Sequence, residues 1–328
     1  MTSVFRTALT ELFAIRHPIV LAPMGAVSGG ALAAAVTRAG GLGLIGPGYL
    51  DAAWIGREFD AAGNTPVGIG FITWDLAKSP RRLDAALERS PAAVMLSFGD
   101  AAPFVRPIKD AGAKLVLQVQ TLEGAREAAR LGADVVVAQG IEAGGHGADP
   151  AAGRSLLPFV PAAVDAVAPV PVLAAGGIAD GRGLAAALAL GAAGVLVGTR
   201  FYAAEEALGH VNAKARIAAA TADATIRTRI FDLARGIDWP QQYTGRALAN
   251  DFAARWHGRE AELAQAQDAE RARYAAAAAA GDVDTMVVWA GEGVDLVHAV
   301  EPAAAIVERM VVDARAALDR AHAARTAP

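Results

Sequence analysis

The sequence predicts an α/β fold, a (β/α)8 TIM barrel with a helical insertion after the eighth strand. Three features of its 328 residues point there. Short apolar runs alternate with alanine-rich helical segments eight times between Ile19 and Val197. The runs are apolar at consecutive positions, as in V-V-V-A-Q at 135–139, the composition of parallel strands buried on both faces. Glycine-rich loops follow several of the runs. Eight alternations in about 180 residues fit a closed barrel better than the alternative, an open doubly wound sheet.

Taken in order, the first strand is Ile19–Ala22, followed by the loop Pro23–Gly30 and a helix over Ala31–Ala39. Gly43–Ile45 is the second, with a helix from about Leu50 to Ala62. Val67–Phe71 and Ala93–Phe98 are the third and fourth, with helices over Pro80–Arg89 and Ala101–Ala111. Lys114–Gln118 is the fifth, with a helix over Leu122–Leu131. Val135–Gln139, Val172–Ala174 and Gly194–Val197 complete the set, with helices over Leu156–Val167 and Arg182–Leu190 between them. Residues 202–281 then contain no convincing strand, and alanine, the best helix former, runs unbroken at 275–280. The expected division is therefore a barrel at 1–201 and 282–328 and a helical insertion or lid at 202–281. Met286–Ala290 would re-enter the barrel, and a helix over Pro302–Arg320 would close it.

Composition removes whole classes of function. Hydrophobic residues make up 54%, yet no uninterrupted apolar run is long enough to span a membrane. A net charge of -4 argues against a general nucleic-acid binder. The absence of cysteine excludes disulfides, thiolate metal sites and a cysteine nucleophile. The N-terminal M-T-S-V-F-R-T-A-L-T-E-L lacks a signal-peptide core, so the expectation is a cytoplasmic protein with no membrane partner. A homo-oligomer is left open.

Barrel ligands bind where the strands end at their C-termini, and the glycine loops fall there. Ala22-Pro23-Met24-Gly25 follows the first strand, Gly140–Gly147 the sixth, Gly176-Gly177 the seventh and Gly198-Thr199 the eighth. The last two are neighbours, where backbone N–H groups and a helix start commonly hold phosphate, so a phosphate-bearing ligand is expected. The bland reading is that the glycines serve tight turns. Of the four lysines, Lys114 begins a strand at the wrong end for a Schiff base. Glu142 has no carboxylate partner for glycoside chemistry. Of six histidines only His146 lies in a strand-end loop, so no metal site is expected. What remains is a bound cofactor with His146 as acid or base.

P-I-V-L-A-P-M-G at 18–25, V-A-Q-G-I-E-A-G-G-H-G at 137–147, P-V-L-A-A-G-G-I-A-D-G-R-G at 171–183 and G-T-R-F at 198–201 together resemble the nitronate monooxygenase (2-nitropropane dioxygenase-like) family. The resemblance covers about residues 15–205. It implies FMN, with phosphate on the loops around Gly176-Gly177 and Gly198-Thr199 and the flavin ring against Ala22, Pro23 and Met24. It implies His146 as catalytic base, Ala143-Gly144 lining the cofactor, and Gln118 as a polar contact to the flavin or simply a strand-end glutamine. The implied reaction is oxidation of an alkyl nitronate by O2 to a carbonyl compound and nitrite. The alternatives are an NAD(P)H-dependent FMN reductase of an enone, quinone or enoyl thioester, and a flavin-binding protein without turnover. One departure stands out. Many members have asparagine near the end of the third strand, where this chain has G-I-G-F at 68–71, so Gly70 replaces it and Thr73 or Trp74 would substitute.

Overall fold

Eight parallel strands form the centre of the computed structural model, which describes residues 5–326. They are β1 (Ile19–Leu21), β2 (Leu44–Ile45), β3 (Gly68–Ile72), β4 (Ala93–Ser97), β5 (Lys114–Val119) and β6 (Val135–Gln139), then β8 (Val172–Ala175) and β9 (Gly194–Val197). The spatial order β1-β9-β8-β6-β5-β4-β3-β2 is that of a (β/α)8 barrel, and a parallel bridge between Val20 and Leu42 closes it. Alternation along each strand divides the core into two layers. Val20, Leu44, Met95, Val116, Val135, Val137, Leu173 and Leu196 fill the barrel interior. Their neighbours Ile19, Ile45, Ile69, Val94, Leu115, Val136, Val172 and Val195 face the surrounding helices. The same period sends Gln118 and Gln139, the last inward positions of β5 and β6, to the top of the barrel.

The floor is closed by a helix that the sequence reading did not mark, Ala8–Phe13. Thr7 caps it, and its Leu9 is fully buried against the interior layer. The last helix, Ala303–Thr326, packs on Gly181–Ala189 and Gly30–Arg38.

Residues 202–281 correct the reading of a segment without strands. They contain β10 (Thr225–Thr228) and β11 (Tyr243–Leu248) among short helices. The glycine loop itself turns into a strand, β7 (Gly145–Ala148), and the three make an antiparallel sheet in the order β10-β11-β7. His146 is paired with Gly245 in that sheet. Helices of the same segment gather a separate apolar cluster around Phe231, Phe252, Trp256, Leu263 and Tyr274. Val288 and Ala290 then return to the main core.

Candidate active site

A cavity of about 320 Å³ lies where the strands end at their C-termini. Ala22, Pro23, Met24, Gln118, Ala143, Gly144, His146, Gly176, Gly177, Gly198 and Thr199 all line it. The residues expected to hold the cofactor and the histidine are thus brought to one place, although they come from five different strand ends.

One end of the cavity is backbone. Gly176 and Gly177 have φ of +121° and +67°, values that leave little room for a side chain. The N–H groups of Gly176, Gly177, Gly198 and Thr199 donate to no group among the described residues. Unpartnered amides converging at a helix start make an anion cradle. The Thr199 hydroxyl is already used, accepting from the Gly291 N–H at 3.0 Å. Gly144 and Gly291 approach so closely that a Cβ on Gly144 would lie 2.5 Å from the Gly291 nitrogen.

Another part of the lining is made of side chains. His146 Nε2 lies 2.8 Å from Asp232 Oδ2, on the helix Ile230–Arg235 of the inserted segment. Beside a carboxylate, Nε2 carries the proton, and Nδ1, which has no partner among the described residues, keeps its lone pair. The imidazole lies flat on the Trp239 indole, with centroids 3.6 Å apart and planes 7° apart, and against Trp289 at 4.9 Å. Burial pushes His146 below the usual histidine range, and the hydrogen bond and charge of Asp232 only partly oppose it. Burial thus favours the uncharged imidazole. Trp239 is held in turn by its Nε1–H donating to Tyr49 Oη at 2.6 Å. Phe98, edge-on to Trp239 at 5.2 Å, sits at φ +65°, a strained conformation of a kind that clusters at functional sites.

The loop that carries His146 is clamped from below. Arg227 donates to the carbonyls of Ile141 and Thr244, and Arg246 also donates to Ile141 while pairing with Glu292. Burial, with Arg246 nearby, lowers Arg227 to about 10. Gln139 donates to the His146 carbonyl at 2.9 Å and accepts from Gln118 and Gln120. Gln118 is therefore both a cavity residue and a member of this network. Glu142 turns away, accepting from the Leu156 N–H.

The departure at Gly70 has a steric reason. A Cβ there would meet the Pro23 ring at 2.3 Å, so Pro23 fills the space that a longer side chain needs. Thr73 and Trp74 do not take over the role, because neither lines the cavity. Trp74 packs behind Trp239 at 5.3 Å. Asp232, Trp239, Arg227 and Gln139 are the residues that sequence reasoning missed. The alternation of β6 was the one signal that could have marked Gln139.

The family model described as nitronate monooxygenase matches residues 6–69 and 63–313. A nitronate monooxygenase of Pseudomonas aeruginosa is 34% identical, over 90% of this chain and 96% of its own length. The solved structure of FabK from Thermotoga maritima aligns with a TM-score of 0.84 at 28% identity, covering 97% of this chain and 99% of that one. The nitroalkane oxidase of Streptomyces ansochromogenes aligns at 0.78 and 32% identity, covering 95% and 100%. A Rhodococcus jostii (3aS,4S,5R,7aS)-5-hydroxy-7a-methyl-1-oxo-octahydro-1H-indene-4-carboxyl-CoA dehydrogenase is 39% identical over 62% of this chain, and the match spans only 57% of that relative.

Proposed function

This chain belongs to the nitronate monooxygenase family, and we propose that its cavity holds FMN and oxidises alkyl nitronates with O2 to a carbonyl compound and nitrite. The observation that carries the reading is the buried His146 held between Asp232 and Trp239 in the same cavity as the amide cradle. The residues fit FMN. Four unused N–H groups at Gly176, Gly177, Gly198 and Thr199 would take its phosphate, and Ala22, Pro23 and Met24 with Ala143 and Gly144 would line its ring. Bound there, FMN supplies the electron acceptor that the oxidation needs.

His146 removes the α-proton when a neutral nitroalkane arrives, through Nδ1. Asp232 is a positioning residue: it fixes the tautomer and stabilises the imidazolium as it forms. Trp239, Trp289 and Tyr49 exclude water from that transfer. The division of labour suggests residues 1–201 with 282–328 as the cofactor barrel and 202–281 as the unit that walls the substrate side.

A second reading, an NAD(P)H-dependent reductase, is favoured by the likeness to FabK and by Gly70 in place of the family asparagine. Flavin bleaching separates the two. Under anaerobic conditions, rapid bleaching by propyl-1-nitronate with recovery in air supports the oxidase. Bleaching by NADPH without nitronate turnover replaces it with the reductase. Release of FMN on denaturation tests the cofactor, and release of FAD would refute it.

A further inference from the structure

Among the described residues, the cavity lining contains one charged side chain, Arg235. It lies one helical turn beyond Asp232, so the helix Ile230–Arg235 brings both to the same wall. Most cations around the site are committed. Arg227 and Arg229 donate to backbone carbonyls, and Arg246 also holds Glu292. Arg235 is held more loosely. Its guanidinium donates no hydrogen bond to any described residue, and its ion pair with Asp232 Oδ1 is long, at 3.8 Å. It lies over the Tyr49 ring at 5.6 Å, a contact that orients the group while leaving its N–H edge unused. The side chain is 27% exposed, far less than a solvated surface arginine.

We propose that Arg235 is the substrate anchor, and that the substrate is a small anion carrying its charge on two coplanar oxygens, a nitronate or a carboxylate, next to an apolar body. This deepens the proposed function and rests on it for the choice of nitronate. A guanidinium fork matches two coplanar oxygens in a way that an ammonium does not. The apolar body lies against Tyr49, Phe98 and Trp239, which line the same cavity. The anchor also explains why one helix carries both residues: it sets the substrate's charged end at a fixed distance from the base that Asp232 orients.

The experiment uses the FMN-loaded protein and unreactive probes. Butanoate has the two coplanar oxygens, and butanamide has the same shape without the charge. Calorimetric titration should show butanoate binding at least about tenfold tighter than butanamide. Arg235→Met should lose about ten- to hundredfold in butanoate affinity and leave butanamide unchanged. Arg235→Lys should keep part of the affinity, which shows that the fold is intact and the charge is what matters. KM for propyl-1-nitronate should rise in Arg235→Met with a smaller change in kcat. Equal binding of the two probes by the wild type, or butanoate affinity unchanged in Arg235→Met, overturns the anchor. The two readings fail separately. Nitronate turnover with a KM indifferent to Arg235 removes the anchor and keeps the oxidase. Arg235-dependent butanoate binding without nitronate turnover keeps the anchor and removes the oxidase.

Discussion

The two walls of the cavity are built from different materials. The barrel wall is backbone: Gly176, Gly177, Gly198 and Thr199 offer N–H groups and almost no side-chain chemistry. The wall from the inserted segment is side chains: Asp232, Arg235 and Trp239, held by aromatic contacts and by the β10-β11-β7 sheet. A backbone cradle tolerates little variation, because each residue is tied to a strand end, and Gly176 and Gly177 also to a positive φ. A side-chain wall can be altered one residue at a time while the barrel stays intact. The contrast predicts that damage to the first wall removes the cofactor, and damage to the second changes what happens to the substrate.

The sharpest break is Gly177→Asp. Aspartate tolerates the left-handed backbone better than most residues, so the chain should still fold, but a carboxylate now stands beside the amide cradle and Glu142. FMN content after gel filtration should fall to almost nothing while the melting temperature of the apoprotein changes little. Normal FMN content would move the phosphate elsewhere.

His146→Ala comes next and should leave FMN content near normal. Turnover of neutral nitroalkanes should drop about 10²–10⁴-fold, and turnover of pre-formed nitronates much less, because they have already lost the proton. Equal losses on both substrates would assign His146 to binding instead of proton abstraction.

Asp232→Asn should cost less, on the order of 10²-fold at most on neutral nitroalkanes. Its signature is the pH profile. On the proposed role the reaction needs uncharged His146, so kcat/KM should fall as pH drops through the histidine's pKa, which burial already holds below its ordinary value. Asp232 raises that pKa, so its loss should move the acid limb to still lower pH. A limb that stays in place or moves upward would contradict the assigned role.

The smallest expected effect is at Gly70→Asn, which tests whether the family asparagine fits this barrel. With Pro23 at 2.3 Å from the new Cβ, overpacking should destabilise the protein by about 1–3 kcal/mol, read as a lower melting temperature. An unchanged melting temperature would show that Pro23 yields easily.

The barrel half was legible because its signals are local. Strands such as Val135–Gln139 are buried on both faces and read as continuous apolar runs, and the glycines that follow them mark the strand ends where ligands bind. The insertion half was not. β7 is G-H-G-A, with no alternation to betray a strand, and it exists because Tyr243–Leu248 pairs with it from about a hundred residues away. The floor helix Ala8–Phe13 is only six residues, too short for a helical period to stand out.

The amino-acid order alone determined the barrel, the cavity's backbone end and the identity of the histidine, since each follows from patterns within a few residues. The tertiary structure alone decided what that histidine is. Its partner Asp232 is 86 residues away, its stacking face is Trp239 and its loop is clamped by Arg227. None of these contacts leaves a trace in local periodicity, because they form only when the inserted segment folds back over the open end of the barrel.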